Sequence, residues 1–183
     1  GGVFRRLLDL RGTLALATVY SLGTVDQPRL GVVLAAPRLS QEEVAEAQRQ
    51  VTWLLGTQQD LTPFYQMALC DGALAPLVQG FRGLHIPHTS SVYEALVLAI
   101  LGQQISSHVA RILRTLLIQT YGAQVQLEGV TYHAFPKPEA LMAERLDGLR
   151  AIKFSTRKAQ YILDIATRVA SGDLELESLH ARS

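Results

Sequence analysis

Residues 91–122, SVYEALVLAILGQQISSHVARILRTLLIQTYG, consist of two helix-period apolar runs broken in the middle by two adjacent glutamines. Leu96, Ala99 and Ile100 mark a stripe on the first run, and Val109, Ile112, Leu113, Leu116 and Leu117 mark one on the second, each at the three-and-four spacing of a buried helical face. Gly102, Gln103 and Gln104 therefore fall at a helix end. Ser106 or Ser107 can cap the next helix, and Gly122 can close it in a left-handed conformation. The chain is thus expected to fold around two packed helices that present Gln103 and Gln104 on the corner between them.

The remaining features bound what can surround that corner. With 183 residues and 48% hydrophobic composition, the chain can bury one good core or two small ones, which argues against disorder. A net charge of +1 creates no global field for nucleic acid, so such a partner has to be argued from local placement. The single cysteine, Cys70, excludes an internal disulfide and a cysteine-built metal or cluster site, and fits a reducing, intracellular setting. The histidines at 85, 88, 133 and 180 are scattered without ligand spacing, so neither a metal nor a cofactor is expected. The apolar stretch from Ala95 to Leu101 is far short of the roughly 20 residues that span a bilayer, and no leader opens the sequence, so a soluble, cytoplasmic protein without membrane contact is expected.

Before the corner the period changes. Phe4, Leu8 and Leu10, then Leu14, Leu16, Thr18 and Tyr20, then Leu30, Val32 and Leu34 read as three strands of an antiparallel meander. Ser40-Gln41-Glu42-Glu43 has the spacing of a capping box, and Val44, Ala47, Val51, Leu54 and Leu55 follow on one helical face until Gly56. Thr62-Pro63 and Asp71-Gly72 read as two short helix starts, with Gly80 ending the second and residues 82–90 as a connection. From Ser91 onward only helices are expected, at 91–102, 107–121, 138–146 and 156–171. The resulting fold is α+β, with an α+β domain over residues 1–80 and a helical one over 81–183.

FRGL (81–84), the GQQIS corner (102–106), YG (121–122), FPKPEAL (135–141) and STRKAQYILDIA (155–166) together resemble the DNA-3-methyladenine glycosylase II branch of the helix-hairpin-helix DNA glycosylases. The resemblance covers 81 to about 179 and is only general before that. It implies that 81–183 is the first part of an all-α glycosylase domain and that the partner is double-stranded DNA carrying damaged bases, with no protein partner. The implied activity is base-excision repair, releasing alkylated purines such as 3-methyladenine by base flipping. The family's glycine-rich hairpin and catalytic aspartate match no residues here, so the aspartate is expected beyond Ser183 and the chain alone is expected to be inactive. The chain reads as an internal portion of a longer enzyme. A non-catalytic DNA-binding or scaffold fragment, an oxidised-guanine glycosylase and a helical protein-interaction module remain open as alternatives.

The DNA-binding candidates are Gln103, Gln104, Ser106, Ser155, Arg157 and Lys158. Gln104 is the expected minor-groove wedge, because an enzyme that extrudes a base has to fill the hole and offset a stacking loss of a few kcal/mol. The alternative is that both glutamines only tie down the loop. Ser155-Thr156-Arg157-Lys158 opens a helix with two cations at its positive end, an electrostatic conflict that a DNA phosphate would relieve, although an ordinary solvated helix start fits too. Arg111, Arg114 and His108 are expected on a solvated face, Trp53 is expected in the core, and Asp164 occupies no position that matches the catalytic aspartate.

Overall fold

The computed structural model describes residues 2–182, with side chains described as far as Leu179. The chain divides into two compact units, residues 1–88 and 89–183.

In the first unit, strands β1 (Val3–Leu10), β2 (Thr13–Ser21) and β3 (Leu30–Ala35) form an antiparallel sheet in the order β1-β2-β3. Leu7 lies opposite Leu16 and Val19 opposite Val32. Arg11 and Gly12, both at positive φ, make the tight first turn, and the Gly12 N–H donates to the Asp9 carboxylate at 2.7 Å. The face of the sheet covered by helix α1 (Gln41–Leu54) is built from Leu8, Leu10, Ala15, Ala17 and Val19 against Ala47, Val51 and Leu54. The set expected for β2, from Leu14 through Tyr20, is therefore the opposite face from the one α1 covers. Ala15, Leu16, Ala17, Thr18 and Val19 are all buried, so the middle of this central strand shows no polar alternation to read. The capping box forms as expected, with the Ser40 side chain accepting from the Glu43 N–H at 3.2 Å and the Glu43 carboxylate accepting from the Ser40 N–H at 2.8 Å.

Helices α2 (Thr62–Leu69) and α3 (Leu74–Gly80) follow. Residues 81–88, expected to open the second domain, pack with this unit: the His88 N–H donates to the Leu54 carbonyl at 2.9 Å and the Gly83 N–H to the Tyr65 hydroxyl at 2.8 Å. Trp53 is not a core residue. It is 37% exposed, with the His88 ring against its indole at 4.4 Å between centroids.

The second unit contains α4 (Val92–Gly102), α5 (Ser107–Tyr121), α6 (Pro138–Met142), α7 (Leu146–Ala151), α8 (Thr156–Ala170) and a closing 3-10 turn (Glu177–Arg182). It is not all-helical. Strands β4 (Gln124–Leu127) and β5 (Val130–His133) form an antiparallel hairpin on a two-residue turn, Glu128-Gly129, in which both residues have positive φ. The helix expected over 138–146 stops at Met142, and after a turn a further short helix, α7, starts at Leu146.

The core is lined by Val97, Leu101, Leu113, Leu117, Leu141, Leu149, Ala159, Ile162 and Ala166. Two expected stripes are rotated: α4 buries Tyr93, Val97, Ile100 and Leu101 and leaves Ala99 exposed, while α5 buries Leu113 and Leu117 and leaves Val109 and Ile112 in solvent. Gly122 is not left-handed either, since its φ of −75° and ψ of 142° are extended. Its reason for being glycine is space, because a Cβ there would strike the carbonyl oxygens of Ala134 and Ile118.

Candidate nucleic-acid interface

The corner is built by two helices that end and begin within four residues. The N–H of Gln103 still reaches the Ile100 carbonyl at 3.3 Å, after which ψ of 133° takes the chain out of α4. Gln104 reverses it at a φ of +55°, in the left-handed region that costs an L side chain roughly 1–2 kcal/mol. Ile105 then packs against the core, and Ser106 caps α5 by accepting from the Val109 N–H at 3.3 Å. Leu101 on one side is 1% exposed. Between these two apolar anchors Gln103 and Gln104 stand exposed. Neither side chain packs into the core, so a strained backbone turn is kept to hold two planar amides in the open.

A second helix start belongs to the same surface. Ser155 caps α8, accepting from the Lys158 N–H at 3.4 Å, and Arg157 is exposed on the first turn. The Lys158 side chain reaches back across to the corner, where its ammonium donates to the carbonyls of Leu101 at 2.7 Å and Gln103 at 2.8 Å. The loop thus carries Gln103, Gln104 and Ser106, the start of α8 carries Ser155, Arg157 and Lys158, and the Lys158 ammonium joins the two. It gives Lys158 a different task from the phosphate contact expected of it. The conflict between a cation and the positive end of α8 is relieved by the carbonyl end of α4, which carries the opposite partial charge.

Sequence reasoning missed how the other end of α4 is held. The Glu177 carboxylate, 85 residues from Val92, accepts from the N–H groups of Val92 at 3.0 Å and Tyr93 at 3.3 Å. Glu94 is buried to 1% exposure; its carboxylate accepts from the Ser90 N–H at 3.1 Å and lies 3.7 Å from the Arg114 guanidinium. Arg114 is therefore tied to a buried acid. Arg111 instead meets the ring of His108 at 3.3 Å on the exposed side of α5. Burial pushes the Tyr93 phenol well above its ordinary pKa, with the charge of Glu139 acting in the same direction. Asp164, exposed on α8, accepts from the Gln160 amide at 2.9 Å. Among the described residues no cluster of three or more His, Cys, Asp or Glu side chains could hold a metal, and no helix is long and apolar enough to cross a membrane.

Residues 97–181, which contain the corner and both helix starts, match the HhH-GPD superfamily of base excision DNA repair proteins. The second unit belongs to that superfamily. A DNA-3-methyladenine glycosylase of Bacillus subtilis is 36% identical over 120 residues, 66% of this chain and 40% of that protein. DNA-3-methyladenine glycosylase 2 of Escherichia coli is 30% identical over 108 residues, 59% of this chain and 38% of that protein. The solved 3-methyladenine DNA glycosylase of Archaeoglobus fulgidus superposes with a TM-score of 0.79 at 27% identity, covering 91% of this chain and 56% of that one. An 8-oxoguanine glycosylase/lyase of Clostridium acetobutylicum, at 17% identity and a TM-score of 0.70, shares the fold. The chain therefore spans about two-fifths of the length of those two curated relatives.

Proposed function

We propose that this chain is the DNA-recognition part of a base-excision repair N-glycosylase that releases alkylated purines, such as 3-methyladenine, from duplex DNA. The observation that carries the reading is the exposed Gln103-Gln104 corner, held at a strained φ between the buried Leu101 and the partly buried Ile105, with two capped helix starts tied to it. Gln104 enters the minor groove in the place of the extruded nucleotide, where a planar amide stacks on the neighbouring bases and hydrogen-bonds the orphaned partner base. The amide ends of α5 and α8, with Arg157, meet the phosphates on either side. These contacts carry no sequence information, weaken with salt and set the register of the wedge.

An N3- or N7-alkylated purine is a cationic leaving group, so its glycosidic bond breaks with little acid assistance, and modest contacts suffice for a broad lesion range. Stabilisation of the oxocarbenium-like sugar is assigned to an aspartate that corresponds to none of the carboxylates in residues 1–183. Support comes from the relatives named as DNA-3-methyladenine glycosylases.

The test is to incubate the 183-residue chain with methylated duplex DNA and follow base release, while measuring its affinity for an abasic-analogue duplex and for the intact duplex. Tighter binding to the abasic duplex without release is the expected result. Equal affinity for both would overturn the recognition reading. Release would overturn the assignment of the catalytic aspartate and return attention to Asp164.

A further inference from the structure

We propose that Lys158 is a positioning residue for the corner, a buttress that sets where Gln104 points without touching DNA. The inference rests on the wedge reading above and extends it to how the wedge is kept in place. The last carbonyls of a helix have no intrahelical donor, and at the end of α4 two of them, those of Leu101 and Gln103, accept from one ammonium at 2.7 and 2.8 Å. A charged donor at the negative end of the helix dipole makes short, strong bonds. They bracket Gly102, the last residue of α4, and act one residue before the strained Gln104. Lys158 is half-buried, and its neighbour Ala159 is fully buried against the core, so the ammonium is anchored to the body of the unit rather than to the loop.

The opposite end of α4 is fixed in the complementary way. Glu177 supplies a carboxylate to the N–H groups of Val92 and Tyr93, so α4 carries an anion at its positive end and a cation at its negative end. Both charges come from elements far away in sequence. The helix is therefore pinned along its own axis, and an amide at its end holds its place when a base pair pushes against it. Pre-organisation of this kind removes an ordering cost that would otherwise be deducted from binding.

The experiment is a double-mutant cycle with Lys158→Met, which keeps the aliphatic stem, and Gln104→Ala, reading the ratio of affinities for abasic-analogue and intact duplex. Gln104→Ala and Lys158→Met are each expected to reduce the ratio about tenfold, and the double variant no further than Gln104→Ala alone. Lys158→Arg, which restores a cationic donor, is expected to recover most of the ratio. Amide exchange in the free protein at residues 103–106 is expected to quicken in Lys158→Met while α6 is unchanged. If Lys158→Met does not fold, Lys158→Gln, a shorter neutral donor, takes its place in the cycle.

Additive effects in the cycle, or a wild-type ratio in Lys158→Met beside a reduced one in Gln104→Ala, would overturn the buttress and leave the wedge standing. A wild-type ratio in Gln104→Ala beside faster exchange in Lys158→Met would overturn the wedge, and with it the role in DNA binding, while the hold on the corner stands.

Discussion

Gly122→Ala is expected to destabilise the second unit by about 3 kcal/mol, near the upper end for overpacking, because the atoms in the way are backbone and have no rotamer to escape into. The added methyl would strike the carbonyl oxygens of Ala134 and Ile118 at the point where α5 hands over to the β4–β5 hairpin. The same junction carries the bond from the Ala134 N–H to the Ala123 carbonyl at 2.8 Å, so relief by backbone movement would sacrifice a hydrogen bond or unseat the hairpin. For a unit of this size the melting temperature should drop by about 12–24 °C in calorimetry. A shift of less than about 4 °C would mean that the junction yields and that the close approach is not what requires glycine there.

Leu117→Ala should cost about 2–5 kcal/mol, because Leu117 is fully buried and truncation leaves a cavity among well-packed neighbours. Ile112→Ala, on the same helix but 45% exposed, should cost less than about 1 kcal/mol. Denaturant melts of the two variants decide which face of α5 points inward. Similar losses for both would place Ile112 in a core and contradict the rotation of the stripe described above.

Where caps and turn residues are local, the fold was legible. Ser40 with Glu43 forms the capping box its spacing implies, Ser106 rather than Ser107 caps α5, Ser155 opens α8, and α1 ends before Gly56. The facing of α4 was not legible for a physical reason: VYEALVLAILG is apolar nearly all round, so its sequence contains no stripe to read, whereas in α8 the buried set of Ala159, Ile162, Leu163 and Ala166 stands against a polar face. The β4–β5 hairpin escaped because each strand is four residues long and its turn is Glu-Gly rather than the more telling Asn-Gly. α7 escaped because LDGLRA is six residues long, has no side-chain cap and contains a glycine.

At the candidate interface, the corner and both helix starts could be read from the sequence. The employment of Lys158 could not, since its carbonyl partners lie 57 and 55 residues away. Glu177 on the amides of α4 is hidden for the same reason. Cations at a helix start read locally as a conflict awaiting an anion, and only the fold reveals that another helix supplies the negative end.

Whether the Gln104 side chain fills the space of an extruded base is decided by the affinity of Gln104→Ala for an abasic-analogue duplex against its affinity for the intact duplex. Alanine retains the backbone strain at this position and deletes only the amide, so folding stability should change little. The expected loss is about 1–3 kcal/mol on the abasic duplex, the scale of one stacking contact, with binding to the intact duplex nearly unchanged. Equal losses on both duplexes would contradict it and reduce Gln104 to a residue that shapes the loop.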